Sequence, residues 1–270
     1  MNTSITHFAT ACFCFTVVAA ASDDSPPLIA PWTPVTTHVD ASGIETCVWG
    51  RKHRFANSAL PTSVTTANAE LLAGPIRLAG KLTDKPIEWK RGGNLLLRST
   101  ESHAVFSGWQ SGDDLIINTT TRVEFDGLLK IDLVVLPQYK TAPKLEQLWL
   151  EVPLKREWAT LYHYFPGSWG QAKNSGQVPP EGLTLPFKAF LWLGNETGGL
   201  GWFAESDQVW QPKDPKRAVE VIPGEKETLL RLTSNSLEPR SRIARKTKRP
   251  IRPKPLIAIL MAILELLMGL

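Results

Sequence analysis

The sequence predicts an all-β protein: an antiparallel β-sandwich with a short helical tail at the C-terminus. Three observations carry this. Apolar and polar residues alternate with period two in several runs between Val35 and Ser234. Gly and Pro, 19 and 21 of 270 residues, break the chain at short intervals. No helical pattern of useful length lies between the strand-like runs, so two sheets packed face to face fit better than an α/β layering.

The elements follow in order. The N-terminus reads MNTSITHFATACFCFTVVAAASDD, with an apolar run from Phe8 to Ala21 and Ala19 and Ala21 in A-x-A spacing. This predicts a signal peptide over residues 1–21 and export to the periplasm or the extracellular space, although its first residues carry no Lys or Arg. Removing it takes away Cys12 and Cys14 and leaves Cys47, which has no partner for an internal disulfide. No Cys/His spacing suits zinc, and the five histidines are scattered, so neither a metal site nor a cofactor is expected. Residues 22–34 form an extended, Pro-rich lead-in, and residues 35–236 form the sandwich domain.

Within the domain, LLKIDLVVLP places Leu129, Ile131, Leu133 and Val135 on one face and Lys130 and Asp132 on the other. LEQLWLEVPL alternates likewise, with Leu148, Leu150, Val152 and Leu154 opposite Gln147, Trp149 and Glu151. RAVEVIP (217–223) and ETLLRLTS (227–234) repeat the strand signal. QSGDD (110–114), Asp126-Gly127 and GNETGG (194–199) read as hairpin turns. Only LKREWATLY (154–162) has a helical pattern, and residues 162–186 read as one long aromatic, Gly/Pro-rich connection.

The tail, residues 237–270, differs from everything before it. Residues 240–254 carry eight Lys/Arg and no acid, which turns a net charge of +4 for the whole chain into −4 for the rest. A mildly acidic body gives no reason to expect nucleic acid. The apolar run that follows has about fifteen residues and falls short of the roughly 20 that a spanning helix needs. A basic flank beside an apolar helix can rest on a membrane surface, which is one expectation for the tail. The other is that it is foreign to the fold, the product of a shifted reading frame or a truncation.

The richest stretch is FLWLGNETGGLGWFAESDQVW (190–210). Paired acids beside tryptophans suit a sugar site. Glu205 and Asp207 are two apart and share a strand face, about 6–7 Å from one another, which does not exclude glycosidase chemistry. Yet both acids come from one strand end, with no opposing wall for a sugar. The stretch therefore reads as the packed inside of a sheet rather than as a catalytic site, with sugar binding as the alternative. Trp169, Trp202 and Trp210 are the candidate stacking platforms, and Glu205 and Asp207 the acceptors for sugar hydroxyls. Trp192 is expected in the core and Trp210 outside it. The glycines of GNETGG are expected to supply positive φ angles for the turn. Arg51 and His53 follow Trp49 on its strand face, where a guanidinium stacked on the indole is the simplest account. Asp126 reads as a turn residue.

Three stretches together resemble a known family. CVWGRKHRFANSALPTSVTTANAELLAGPIRL (47–78) resembles its opening, RVEFDGLLKIDLVVLP (122–137) its central strand, and 190–210 its most distinctive hairpin. The resemblance covers roughly residues 40–235 and is to the N-terminal β-sandwich domain of proteins similar to glycoside hydrolase family 123. It implies a module placed ahead of a (β/α)-barrel that acts on N-acetylgalactosamine-type substrates through an adjacent Asp-Glu pair. No Asp-Glu dipeptide occurs in this sequence, so no catalytic residue is carried over. The expected function is a non-catalytic accessory domain of an exported glycoside-hydrolase-like protein. Its expected partners are a catalytic barrel and a glycan. The alternatives are a complete glycosidase using Glu205 and Asp207, and a membrane-surface protein held by its tail.

Overall fold

A computed structural model of the chain describes residues 27–83, 85–112, 114–138, 145–165, 172–207, 209–210, 212–234 and 256–264. The predicted signal peptide lies outside the described residues. So do Trp169 and the basic run of the tail.

The fold is all-β and antiparallel, as expected, but it has three sheets rather than two. The first is a five-stranded meander of β1 (Thr36–Asp40), β2 (Gly43–Val48), β3 (Arg51–Phe55), β4 (Ser63–Thr66) and β5 (Ala69–Glu70). The second is a nine-stranded sheet. It contains β7 (Trp89–Ser99), β8 (His103–Gly112), β9 (Leu115–Glu124), β10 (Leu128–Pro137), β12 (Leu161–Phe165), β13 (Ser175–Gln177), β15 (Phe190–Asn195), β16 (Gly198–Phe203) and β19 (Leu256–Leu264). Its spatial order is β13-β12-β15-β16-β19-β10-β9-β8-β7. The third contains β6 (Arg77–Leu82), β11 (Leu145–Lys155), β14 (Leu183–Leu185), β17 (Val219–Pro223) and β18 (Glu227–Ser234), in the order β14-β17-β18-β11-β6.

Period-two patterning decides which face each strand buries. In β10, Leu129, Ile131 and Leu133 are buried and Lys130 and Asp132 are half-exposed. In β11, Leu148, Leu150, Val152 and Leu154 point into the core. One continuous core draws on all three sheets, from Ile44 and Phe55 through Phe106, Ile117 and Ile131 to Leu191, Trp202, Val219 and Leu232. The small first sheet meets the large one where Phe55 packs edge-on against Phe106, with ring centroids 4.7 Å apart.

Four expectations are corrected. The helical pattern at 154–162 yields only a three-residue 3-10 turn, Arg156–Trp158, because strands on either side claim its ends. The connection at 162–186 contains strands β13 and β14, each three residues long. The tail is not helical over Leu256–Leu264. It is strand β19, paired antiparallel with β10 on one side and β16 on the other. A run of Leu, Ile and Ala has no polar face to hold a helix against water, and two open sheet edges offer its backbone a full set of partners. Finally, the guanidinium of Arg51 is not stacked on Trp49. It donates to the carbonyls of Asp126 (3.0 Å) and Trp49 (3.5 Å), while Trp49 packs edge-on against Trp32 at 5.4 Å.

The turn at Asp126 forms as expected. Its Oδ1 accepts from the backbone N–H of Leu128 at 2.9 Å, and Gly127 takes φ +86°.

Candidate functional site

The hairpin β15–β16 is tight. Its register runs Phe190↔Phe203, Leu191↔Trp202, Trp192↔Gly201, Leu193↔Leu200, Gly194↔Gly199 and Asn195↔Gly198. Leu191, Leu193, Leu200 and Trp202 therefore share one face, and that face is core. Phe190, Trp192 and Phe203 share the other and are only partly buried. The expected exposures of the tryptophans are reversed. Trp202 and Trp210 are 0% and 1% exposed, set edge-to-face at 5.7 Å, with Phe187 against Trp202 at 6.2 Å. Neither ring offers a face to a sugar. Trp192 lies outside the core cluster, on the outer face of the nine-stranded sheet. Alternation told the two faces apart but not which was inside, because both carry large apolar residues.

The turn also works differently from expectation. None of Gly194, Gly198 and Gly199 has a positive φ. The carboxamide of Asn195 holds the turn instead: its Oδ1 accepts from the backbone N–H of Thr197 (2.9 Å), the Thr197 hydroxyl (2.7 Å) and the N–H of Gly198 (3.2 Å). The glycines have another role. A Cβ built on Gly194 would fall into the Trp192 indole, with Cε2 at 2.7 Å, and one on Gly199 would meet its Nε1 at 2.9 Å. The indole therefore lies on a floor of two paired glycines. Among the described residues its N–H has no hydrogen-bond partner.

The two acids are separated from the tryptophans they were expected to serve. Glu205 lies just past β16, is exposed, and pairs with Lys130 at 3.3 Å. Asp207 is exposed in the following turn, where its backbone carbonyl accepts from Trp210 N–H at 2.8 Å. Both belong to one strand end and the turn after it, whereas glycoside hydrolysis needs two carboxyl groups facing one another across the scissile bond.

A cleft of about 650 Å³ opens at the tip of this hairpin. It is lined by Arg156, Thr160, Leu161, Gln177, Asn195 and Glu196 among others, within the size range of small-molecule sites. Leu161 and Gln177 belong to the row Gln177–Leu161–Gly194–Gly199, in register across four strands. The rim of the cleft is thus continuous with the glycine floor under Trp192. Next along, the row Ser175–His163–Trp192–Gly201 sets His163 beside the indole. His163 Nδ1 lies 2.7 Å from the Ser175 hydroxyl. These residues were missed in the sequence. Four glycines within a strand pair, against the cost of glycine there, were the signal that could have found them.

Two of the described histidines, His53 and His103, are buried. His53, 1% exposed, faces the core from β3, and burial together with the nearby Arg51 charge pushes its pKa down to about 4. Among the described residues no group of three or more His, Cys, Asp or Glu is placed to hold a metal ion. Nor is any helix among them long and apolar enough to cross a membrane.

The sequence matches the family described as glycoside hydrolase 123, third domain, over residues 38–212, well over half of the chain. No curated protein matches it. Among solved structures, one assigned as an aldose 1-epimerase from Escherichia coli K12 aligns with a TM-score of 0.42 and 8% identity, covering 86% of this chain and 99% of that one. An antiparallel β fold whose sequence matches a glycoside hydrolase domain over residues 38–212 is a module of a carbohydrate-related family. The chain belongs to the glycoside hydrolase 123 third-domain family.

Proposed function

We propose that this protein is a non-catalytic accessory module of an exported glycoside-hydrolase-like protein, and that it packs against a catalytic barrel. The observation that carries the reading is the family match, whose description as a third domain implies companion domains. An edge of the nine-stranded sheet supports it. On β7 Leu95 and Leu97 are 63% and 56% exposed, and Trp109 on the neighbouring β8 is 42% exposed. Single exposed apolar residues are ordinary on a protein surface, but a cluster of them on an edge strand is suited to being covered by a partner. We assign that cover to the barrel.

The two other readings have less support. Glu205 and Asp207 do not face each other across a cleft, which weighs against a self-sufficient glycosidase. Strand pairing of 256–264 with β10 and β16 engages the segment that a membrane anchor would use.

The test is co-purification of this chain with a glycoside hydrolase 123 catalytic barrel produced as a separate polypeptide. Wild type is expected to be retained and the Leu95→Lys/Leu97→Lys variant to be lost, with no change in melting temperature. No retention of the wild type overturns the docking reading. Turnover of an aryl N-acetylgalactosaminide by this chain alone, abolished by Glu205→Gln, replaces it with the glycosidase.

A further inference from the structure

The geometry around Trp192 points to a glycan-binding platform, and we propose that this indole stacks on the apolar face of a pyranose ring in an uncharged glycan. The site lies on the outer face of β12, β13, β15 and β16, away from the Leu95–Leu97–Trp109 edge. The proposal rests on the accessory reading only in taking the ligand to be a carbohydrate.

Four features of the surface carry it. First, Trp192 is laid on glycine: a Cβ at Gly194 or at Gly199 would strike the ring. The Cζ2–Cε2–Nε1 side of the indole lies over the two glycines, and the ring is only partly buried and does not join the core. Glycine inside a strand gives up packing and backbone entropy, so a glycine pair beneath a tryptophan marks a place where the ring must approach the backbone closely. Second, a partly exposed indole with an unpartnered N–H suits a ligand that is apolar on one side and hydroxylated at its edge. Third, such hydrogen-bonding groups border the ring. His163 is directly across the strand pair, with Nδ1 engaged by Ser175, so Nε2 is the nitrogen left to meet a hydroxyl. Gln177, exposed, is one row further on. Fourth, the cleft at the hairpin tip shares Leu161 and Gln177 with this floor. A chain of sugars can set one ring on Trp192 and the next in the cleft. A flat apolar face alone could accept many partners. The indole's own row holds Ser175, His163 and Gly201 and no carboxylate or guanidinium, which favours a neutral hydroxylated ligand at the ring, while Arg156 and Glu196 in the cleft supply hydrogen-bonding groups for the hydroxyls of the next sugar.

The platform differs from the one the sequence suggests. Trp202, on the opposite face of the same hairpin, is locked in the core, so the site is made by the tryptophan that alternation placed opposite it.

The experiment titrates the full chain with methyl β-galactopyranoside, whose axial hydroxyl leaves a run of C–H bonds on one ring face, and with a neutral galactose-containing oligosaccharide. Binding is read from the Nε1–H NMR signals of the tryptophans. One indole signal is expected to shift, and it should be the one missing from Trp192→Phe. Trp192→Ala should weaken oligosaccharide binding at least tenfold and leave the melting temperature within a degree or so of wild type. His163→Ala should weaken it severalfold. Equal binding by wild type and Trp192→Ala overturns the proposal, as does absence of any shift with the oligosaccharide. A large drop in melting temperature for Trp192→Ala, without sugar-dependent shifts in wild type, assigns the ring to structure alone. Co-purification with a barrel would be unaffected by these variants, so failure here and failure of the docking reading are told apart.

Discussion

Trp202 and Trp192 differ by one face of one hairpin, and their substitutions should differ accordingly. Trp202 is fully buried between Phe187 and Trp210. Trp202→Ala should cost about 3–5 kcal/mol, the range for deleting a buried aromatic side chain. Thermal melts check this, and a loss similar to that of Trp192→Ala would refute the division of roles. His53 gives a pH dependence. Its folded pKa of about 4 lies below the ordinary value of 6.5, because burial and the Arg51 charge both disfavour the imidazolium. The unfolded chain therefore binds the proton more readily. The stability held by the neutral ring is complete above about pH 6.5 and is lost as the pH falls toward about 4. The loss amounts to roughly 3 kcal/mol at 1.36 kcal/mol per pK unit. Urea midpoints at pH 7.5 and pH 4.5 should separate for wild type, and the His53 part of that separation should vanish in His53→Leu. At this scale the sequence was half legible. Alternation sets Leu191 and Leu193 on one face of β15 and Trp192 on the other. It could not say which face was inside, since Phe190, Trp192 and Phe203 are as apolar as the residues facing the core.

Among the elements, the hairpin turn and one charged row are the most informative. Because the Asn195 side chain, not glycine, closes the turn, Asn195→Ala should cost about 1 kcal/mol per hydrogen bond lost without replacement by water, and amide exchange at Thr197 and Gly198 should speed up. The row lies on the outer face of the third sheet. Glu151 on β11 is 4% exposed and takes bonds from Arg77 (2.7 Å), Arg231 (2.9 Å) and the Trp149 indole N–H (2.7 Å). Further along the row, Glu220 stands across from Arg231 and pairs with Arg217. Charges alternate in sign across four strands, and Arg231 also lies over the Trp149 ring at 4.9 Å. Glu151→Ala would leave two neighbouring cations unpaired. Both guanidinium groups are partly exposed to water, so the cost should be about 2 kcal/mol rather than the full value for a buried pair, as a urea titration would read. The strand content of 145–155 and 217–234 was legible because long runs repeat the alternation. Strands β13 and β14 were not, because three residues hold no measurable period. The glycines of 194–199 misled for a physical reason: the residue that suits a turn is also the residue that clears space beneath a ring.

At the level of the whole molecule, the layered antiparallel fold was legible and the closure of its largest sheet was not. Strands β10 and β16 each run antiparallel to β19, so they run parallel to one another, about 9–10 Å apart at two strand spacings. No pairing of the two can close that gap directly, and an inserted strand is required. A chain lacking residues 256–270 should therefore carry two open edges in the middle of its main sheet and associate in a concentration-dependent way. Size-exclusion chromatography over a dilution series checks this, and a monomer with an unchanged melting temperature would show that β19 contributes nothing. The helical expectation for the tail failed because composition reports what a segment is made of and not which edges await it. The position of β19 also has a consequence in time. Synthesis runs from the N-terminus, so every other strand of the nine-stranded sheet leaves the ribosome before β19 does. The first sheet, the β7–β10 meander and the β12–β16 half can each pack early, but among the described strands it is β19 that joins the two halves. The interval between release of Ser234 and arrival of Leu256 is thus the period in which the nascent chain has most need of a chaperone.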